Sequence, residues 1–290
     1  MSKSRIKIVY LTGYLLLSLV ACSNEEPRGN GGGQGQPLEI GASISDPVVN
    51  RASLGAANYE KSSFFENDVI KIGTSADALN TSYTYKKDSS GTLRWLPTAG
   101  DDGLTSSGSG NYYASYNPDD YTKILADQSI TGNYQKSNRL ITAATAVSGN
   151  KVNFSFYPAA SKITITIEYS DDKHVGVTMK LKGNNWLEAS SNANVTLLPV
   201  TSTGKTHMYV AIVNPGEKKD YTIEVTSKAE AGSPTDDVKK YMSSTSTTFV
   251  AGHNYIYNFT STYGLILNGI TVEGFQSGTG NGTDDNWSAS

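Results

Sequence analysis

The sequence predicts an all-β protein made of two tandem antiparallel β-sandwich domains, preceded by an export signal and a flexible tether. Three observations support this fold class. Short apolar runs with period-2 alternation recur along the chain, Gly, Pro and Asn separate them, and no stretch after the signal shows a long 3.6-residue period. The composition agrees, because 18 Tyr and 28 Gly are typical of half-buried strands joined by tight turns.

The N-terminus has the layout of a secretory signal. Basic residues Lys3, Arg5 and Lys7 precede an apolar run at 8–20. That run is shorter than the ~20 residues that a membrane-spanning helix needs. It closes with Leu-Val-Ala-Cys at 19–22, where a small residue precedes the only cysteine of the chain. An ordinary signal peptide and a short anchor helix are the two plainer interpretations of this segment.

Residues 19–22 resemble the lipobox of bacterial lipoproteins. In that motif the chain is cut between Ala21 and Cys22, and the cysteine thiol receives a diacylglyceryl group. No second cysteine is present to compete for this thiol through an intramolecular disulfide. The acidic pair Glu25 and Glu26 resembles the signal that sends many Bacteroidetes lipoproteins to the cell surface. The resemblance therefore implies a signal peptide at 1–21 and a surface-exposed lipoprotein of the outer membrane.

The rest of the chain divides into four parts. Residues 22–37 are polar, rich in Gly and without hydrophobic period, which predicts a flexible tether. An N-terminal sandwich is predicted at 38–171 and a C-terminal sandwich at 172–275, with the boundary at the polar turn 170–173. The Gly-, Thr- and Asp-rich residues 276–290 predict a disordered tail.

The first predicted strand is 38–44. Its apolar residues Leu38, Ile40, Ala42 and Ile44 alternate with polar or small residues, which is the pattern of a strand with one buried face. The same alternation predicts strands over the second half of the chain. They are 163–169, 175–181, 195–198, 208–213, 221–225, 249–250, 255–259 and 265–275.

Further segments follow one another in a recognisable order. An Arg51-Ala52 junction comes after the first strand, and an aromatic-x-x-Asp element at 65–68 then leads into an apolar strand. This order continues with five later segments, at 94–97, 112–118, 152–163, 208–216 and 250–257. In order and spacing they resemble the fimbrillin family, the subunits of type V pili in Bacteroidetes. That family usually has Gly-Asp where this chain has Asn67-Asp68, at an expected turn that tolerates positive φ.

The resemblance implies transthyretin-like, Greek-key sandwiches and a structural subunit of cell-surface pili that mediates adhesion. An arginine-specific protease would cut between Arg51 and Ala52, and the strand 38–44 would then leave its sheet. A strand from another subunit could fill the opened groove by β-strand addition. The expected partners are other pilus subunits, this protease, and the outer membrane through the lipid on Cys22. No cofactor is expected.

The natural donor strand is the C-terminal run 265–275, whose apolar residues are Leu265, Leu267, Ile270 and Val272. Without the family resemblance, the residues alone would favour a plainer interpretation. Arg51 would then be an exposed loop residue, and 38–44 a permanent strand.

Candidate catalytic or metal-binding residues are few. His174, His207 and His253 are far apart in sequence, and each lies in or beside a predicted strand, so we expect them at strand ends. Acidic doublets, such as those at 101–102 and 171–172, lack the loop spacing of a calcium motif and are interpreted as solvated turns. No serine lies in a nucleophile elbow. The sequence therefore predicts neither an enzyme nor a metal site.

The net charge argues against a nucleic-acid partner. It is -3 for the whole chain and becomes about -6 when the three basic residues of the signal are removed (-3 minus 3). One alternative function stays open. The protein could be a monomeric, surface-anchored lipoprotein that binds a glycan or host ligand through exposed tyrosines or Trp95.

Overall fold

A computed structural model describes the chain in four ranges. They are residues 35–45, 59–118, 121–187 and 193–274. These residues form twenty-one strands and one short helix, and they belong to one compact unit, Gln34–Ser290. The predicted all-β class is therefore confirmed, apart from the helix. The predicted signal peptide, most of the predicted tether and the predicted C-terminal tail lie outside the described residues.

Ten strands and the helix precede residue 159. They are β1 (Gln36–Pro37), β2 (Glu39–Ile44), β3 (Val69–Gly73), β4 (Thr81–Lys87), β5 (Leu93–Pro97), β6 (Thr105–Ser106), β7 (Asn111–Tyr116), α1 (Thr131–Ser137), β8 (Leu140–Thr142), β9 (Thr145–Ala146) and β10 (Lys151–Pro158). Eight of these strands form the first sheet, in the order β2-β10-β8-β7-β3-β4-β5 with β9 beside β7. Strand β1 pairs with β6.

The first sheet curls around an aromatic core. Its two end strands, β2 and β5, lie close to each other, so the sheet approaches a barrel. In β10 the buried residues Val152, Phe154 and Phe156 alternate with exposed polar residues, as expected for a strand with one face in a core. Other buried members of this core are Ile70, Ile72, Tyr83, Trp95, Tyr112, Ala114, Tyr116 and Leu140.

Eleven strands follow in the second half of the described chain. They are β11 (Ser161–Tyr169), β12 (Val175–Lys182), β13 (Val195–Thr196), β14 (Leu198–Thr203), β15 (Thr206–Val213), β16 (Gly216–Lys218), β17 (Thr222–Lys228), β18 (Asp237–Met242), β19 (Thr247–Phe249), β20 (His253–Ser261) and β21 (Leu265–Gly274). The second sheet has the order β14-β15-β11-β20-β21, the third β13-β12-β17-β18, and β16 pairs with β19. The second and third sheets pack as a sandwich around one shared core.

A third cluster covers the other face of the second sheet. Ile124 and Tyr134, from the segment around α1, pack on Val210 and Ile212 of β15. The buried side chain of Gln128 reinforces this contact, because its Nε2 donates to the carbonyl of Ile212 and its Oε1 accepts from the Ile212 N–H. The segment that carries α1 is thus fastened to the second sheet by apolar packing and paired hydrogen bonds.

The expectation of purely antiparallel sheets needs a correction. Strand β2 pairs with β10, and β11 with β20, in parallel ladders. In both cases many residues separate the two partners, and parallel strands require such a long crossover connection. A hairpin, by contrast, imposes the antiparallel direction.

The sheet partners change at Ala159 and Ala160. Strand β10 belongs to the first sheet, whereas β11 lies in the second sheet between β15 and β20. This change occurs before the polar turn 170–173, where the sequence predicts the domain boundary. The division into two domains stays a prediction, because the described residues form one compact unit.

Candidate functional site

Strand β2 is an edge strand with one hydrogen-bonded neighbour in the described part of the sheet. It runs parallel to β10, with Ile40 opposite Val152, Ala42 opposite Phe154 and Ile44 opposite Phe156. An edge strand can leave without breaking pairs inside the sheet, and its departure exposes a row of backbone donors and acceptors. This geometry is compatible with the removal of β2 from its sheet.

The inward face of the segment that begins at Leu38 closes the aromatic core. Leu38 is 6% exposed, and Ile40, Ala42 and Ile44 are partly buried against the same cluster. Beneath them, Phe64 meets Phe156 edge to face at 5.2 Å between ring centroids. The four predicted exchange residues of this strand therefore cover an apolar floor that is rich in aromatic rings.

Backbone hydrogen bonds hold β2 at both ends. The N–H of Leu38 donates to Leu104 O at 2.8 Å, and the N–H of Glu39 donates to Asn150 O at 2.8 Å. At the other end the N–H of Ser45 donates to Phe156 O at 2.7 Å. The strand is therefore docked along its whole length, and its outgoing end leads into residues 46–58.

The outward face of β2 forms a polar row with β10. Gly41 lies opposite Asn153, and the next pair on this face is Ser43 and Ser155. The hydroxyl of Ser45 also lies 2.5 Å from that of Ser155. Polar side chains on this face agree with an outer surface, while the core lies on the other side of the sheet.

Strand β21, the predicted donor, is also an edge strand, and it pairs with β20. Leu265 is buried, Leu267 and Ile270 are partly buried against the sandwich core, and Val272 is 38% exposed. The ladder register shifts between Leu267 and Gly269, so Asn268 is an extra residue in a β-bulge. The bulge places Leu265, Leu267 and Ile270 against one core although the sequence between them breaks the period of two.

The remaining predicted site residues cannot be placed. Ala21, Cys22, Arg51 and Ala52 lie outside the described residues. The lipid attachment, the signal cleavage and the cleavage after Arg51 therefore stay predictions.

The expected turn at Asn67-Asp68 has the predicted conformation, with φ of 77° at Asn67. The Asp68 carboxylate accepts a hydrogen bond from the Phe65 N–H at 2.6 Å. It also pairs with Lys61 at 2.8 Å and accepts a 3.3 Å hydrogen bond from the Tyr116 hydroxyl. Asp68 thus ties the turn to the chain that precedes it.

Two of the three histidines contact the same tyrosine ring, which the sequence does not predict. His174 stacks on Tyr169 at 3.9 Å between ring centroids, and His207 meets the same ring edge to face at 5.4 Å. Burial, together with the charge of His174, lowers the pKa of His207. His207 Nδ1 shares a hydrogen bond with the Ser202 hydroxyl at 2.8 Å. The sequence carried no signal for this cluster, because strand pairing alone brings the two histidines together.

A second unpredicted cluster joins Glu60, Tyr134 and Lys162. Lys162 is buried in the second sheet, and its Nζ lies 2.5 Å from Glu60 Oε1. The hydroxyl of Tyr134 donates to the same oxygen at 2.7 Å. Because 102 residues separate Glu60 and Lys162, no local pattern indicates their pairing.

Neither a metal cluster nor a membrane helix is found in the described ranges. No group of three or more His, Cys, Asp or Glu residues there could hold a metal ion. The single helix of those ranges is not long and apolar enough to cross a membrane.

No protein-family model and no curated protein matches the chain, but solved structures do. Two are described as putative cell adhesion proteins. The one from Bacteroides ovatus has a TM-score of 0.57 and 16% identity, covering 83% of this chain and 98% of that chain. The one from Bacteroides uniformis has a TM-score of 0.52 and 18% identity, covering 83% and 99%.

A tip fimbrial protein from Porphyromonas gingivalis, truncated at its C-terminus, also matches, with a TM-score of 0.44 and 8% identity over 83% of this chain and 99% of that one. The two neighbours with TM-scores above 0.5 are thus putative cell adhesion proteins of Bacteroides species. The chain has the fold of these two Bacteroides structures.

Proposed function

We propose that this protein is a structural subunit of cell-surface pili that serves adhesion. It is exported as a lipoprotein precursor with the lipid on Cys22, and an arginine-specific protease cuts the bond between Arg51 and Ala52. The first strand then leaves, and a strand from another subunit replaces it. The fold shared with two cell adhesion proteins supports this proposal, as does the order of the fimbrillin-like segments in the sequence.

The observation that carries the proposal is the position of β2. This strand lies at a sheet edge, covers an aromatic core, and directly precedes the stretch that contains Arg51. Its loss would expose Leu38, Ile40 and Ile44, at a free-energy cost of up to about 4.5 to 9 kcal/mol when each large side chain contributes ~1.5 to 3 kcal/mol. An opened groove of this kind would bind another strand of the same pattern strongly.

The proposed donor is β21, because it also lies at a sheet edge and carries an apolar face. Its release breaks one ladder, with β20, and leaves the other ladders of the second sheet in place. Each subunit would then supply one strand and accept another. Strand exchange of this kind requires no catalytic residue, cofactor or nucleic acid, and the proposed role of the protein is structural rather than enzymatic.

The first test is the N-terminal residue of the protein recovered from cell-surface filaments. Ala52 is the expected residue. Recovery of lipid-bearing Cys22, with no filaments, would contradict the proposal and favour the alternative of a monomeric lipoprotein that binds a glycan or host ligand.

A matched pair of variants tests the cleavage itself. Arg51→Ala is expected to abolish processing and filament formation, whereas Arg28→Ala, which alters an arginine of the predicted tether, is expected to leave both intact. Normal filaments from the Arg51→Ala protein would refute the cleavage step.

Strand exchange can be tested by competition. A synthetic peptide of residues 36–45, added in excess to processed protein, is expected to occupy the groove and slow filament growth. The same peptide carrying Ile40→Ser and Ile44→Ser is the control, because its inward face is polar. Equal inhibition by both peptides would mean that the groove is not the assembly site.

A further inference from the structure

The chain beyond the proposed cleavage bond is fastened by a buried ion pair. Lys162, on β11, is 3% exposed, and its Nζ lies 2.5 Å from Glu60 Oε1. Tyr134, on α1, is fully buried, and its hydroxyl donates to the same carboxylate oxygen at 2.7 Å. Two donors from distant parts of the chain therefore converge on one carboxylate, a short charge-assisted arrangement.

The surroundings strengthen this pair. The ring of Tyr59 lies 5.2 Å from Lys162 Nζ and meets the Tyr134 ring edge to face at 5.6 Å. Burial is the largest single influence and by itself would lower the pKa of Lys162, but the charge and hydrogen bond of Glu60 together with those of Tyr59 outweigh it, and the pKa is raised. Burial, with the charge of Glu60 adding to it, raises the pKa of Tyr134, so its hydroxyl keeps the proton that it donates. Both donors are thus held in the state that binds a carboxylate.

The residues that follow Glu60 contribute to the floor beneath β2. Phe64 meets Phe156 at 5.2 Å and Trp95 at 5.1 Å, edge to face in both cases. If the chain at 59–68 detached after proteolysis, Phe64 would leave with it, and the groove would lose part of its apolar floor. Retention of this segment is therefore a condition for a groove that can accept a strand.

We propose that Lys162 and Tyr134 form a carboxylate-binding site whose ligand is Glu60, and that this site retains residues 59–68 when the chain is cut after Arg51. Glu60 then fixes the start of the part that stays, while residues before Ala52 can leave with β2. The inference rests on the proposed function for its role. The anchor itself exists in the uncut chain and can be tested there.

Lys61 provides the readout. It follows Glu60 directly, and in the folded chain it is held by Asp68 at 2.8 Å and lies 4.7 Å from the Tyr116 ring centroid. Trypsin cuts after Lys as well as Arg, so the rate of cleavage between Lys61 and Ser62 reports local opening of this segment. Mass spectrometry of the fragments distinguishes this cut from the cut after Arg51.

The experiment compares the full chain in detergent with its Glu60→Gln and Lys162→Met variants. Loss of the charged pair is expected to speed the cut after Lys61 by about tenfold to a hundredfold, since a hydrogen bond to a charged group contributes roughly 1.5 to 3 kcal/mol and ~1.4 kcal/mol corresponds to tenfold. The double variant is expected to be cut no faster than the more affected single variant, because both substitutions break one interaction. Glu66→Gln is the control, because Glu66 makes an exposed contact of 3.8 Å with Lys87.

A Glu60→Gln protein that is cut after Lys61 within twofold of the wild-type rate would overturn the anchor. Hydrogen exchange at 70–72, in the core of the first sheet, verifies that each variant is folded. Failure of the proposed function would appear differently, as a chain that is never cut after Arg51 in cells although Glu60 still protects Lys61.

Discussion

Gly41 of β2 lies directly under the amide oxygen of Asn153 on β10. A Cβ atom built on Gly41 would approach Asn153 Oδ1 more closely than real Cβ atoms approach other atoms. The backbone of Gly41 does not require glycine, since its φ is outside the left-handed range. The small residue at this position is therefore explained by the side chain opposite.

The first prediction concerns this contact. Gly41→Val should weaken the docking of β2 by less than about 1 kcal/mol, because the new side chain must displace the flexible end of the exposed Asn153 side chain rather than repack a core. The free energy of unfolding in urea measures the loss. Asn153→Gly should restore docking in the double variant. If the double variant is as unstable as Gly41→Val alone, the contact with Asn153 is not the cause.

The second prediction separates the two faces of the first strand. Leu38→Ala should lower the free energy of unfolding by roughly 2 kcal/mol or more, since Leu38 is buried in the first core. Glu39→Ala, at an exposed position of β2, should change it by less than about 0.5 kcal/mol. Equal effects in a urea titration would show that the inward face does not hold the strand.

The third prediction concerns pH and His207. Burial lowers the pKa of His207 below the 6.5 of a free histidine, so the unfolded chain binds a proton more readily than the folded chain. The contribution of neutral His207 to the free energy of unfolding is therefore fully present above pH 6.5, and it is lost as the pH falls through the lower pKa of the folded chain. His207→Gln should flatten this part of the curve of unfolding free energy against pH. An unchanged slope would show that other groups cause the loss of stability at acid pH.

The fourth prediction concerns Glu273 on β21. Its Oε2 is buried without a hydrogen-bond partner in the described structure. Burial raises its pKa, and the charge of Lys162 offsets part of that rise. A carboxyl group whose pKa is higher in the folded chain than in the unfolded chain stabilises the fold when it is protonated. This contribution is fully present below the unfolded pKa, near 4.5, and is lost as the pH rises through the pKa of the folded chain.

Glu273→Gln should therefore make the protein more stable at neutral pH and should have a smaller effect at acid pH. Thermal unfolding of the variant and the wild type at pH 4 and pH 7 checks this. A larger gain at pH 4 than at pH 7 would contradict the assigned sign.

Much of the fold follows from local pattern. The alternation in 163–169 and 175–181 predicts β11 and β12 correctly, because a strand with one buried face must repeat every two residues. The helix α1 escapes prediction for a physical reason. It has seven residues, no side-chain cap at Ile130 and a glycine in its first turn. Packing of Tyr134 under the second sheet, rather than local sequence, holds this helix.

The candidate site can also be predicted only in part from the sequence. The apolar face of 38–44 is visible in the sequence, but its parallel pairing with β10 is not, because more than a hundred residues separate the partners. The Glu60–Lys162 pair is hidden for the same reason. Polar residues acquire partners only when the sheets assemble, so a pattern that shows which face is buried cannot show which charge meets which.

The bulge at Asn268 has a consequence for the register of β21 and for the repeat of a filament. Ten residues of β21 span nine partners on β20, and sliding the strand by one residue would turn Leu265 and Leu267 toward solvent. The bulge and the apolar face together therefore hold the strand in its present register along its neighbour. If β21 keeps this property in the groove of another copy, every junction in a filament would have the same offset. The filament would then grow with a constant axial repeat, and no other element would be needed to set the spacing of its subunits.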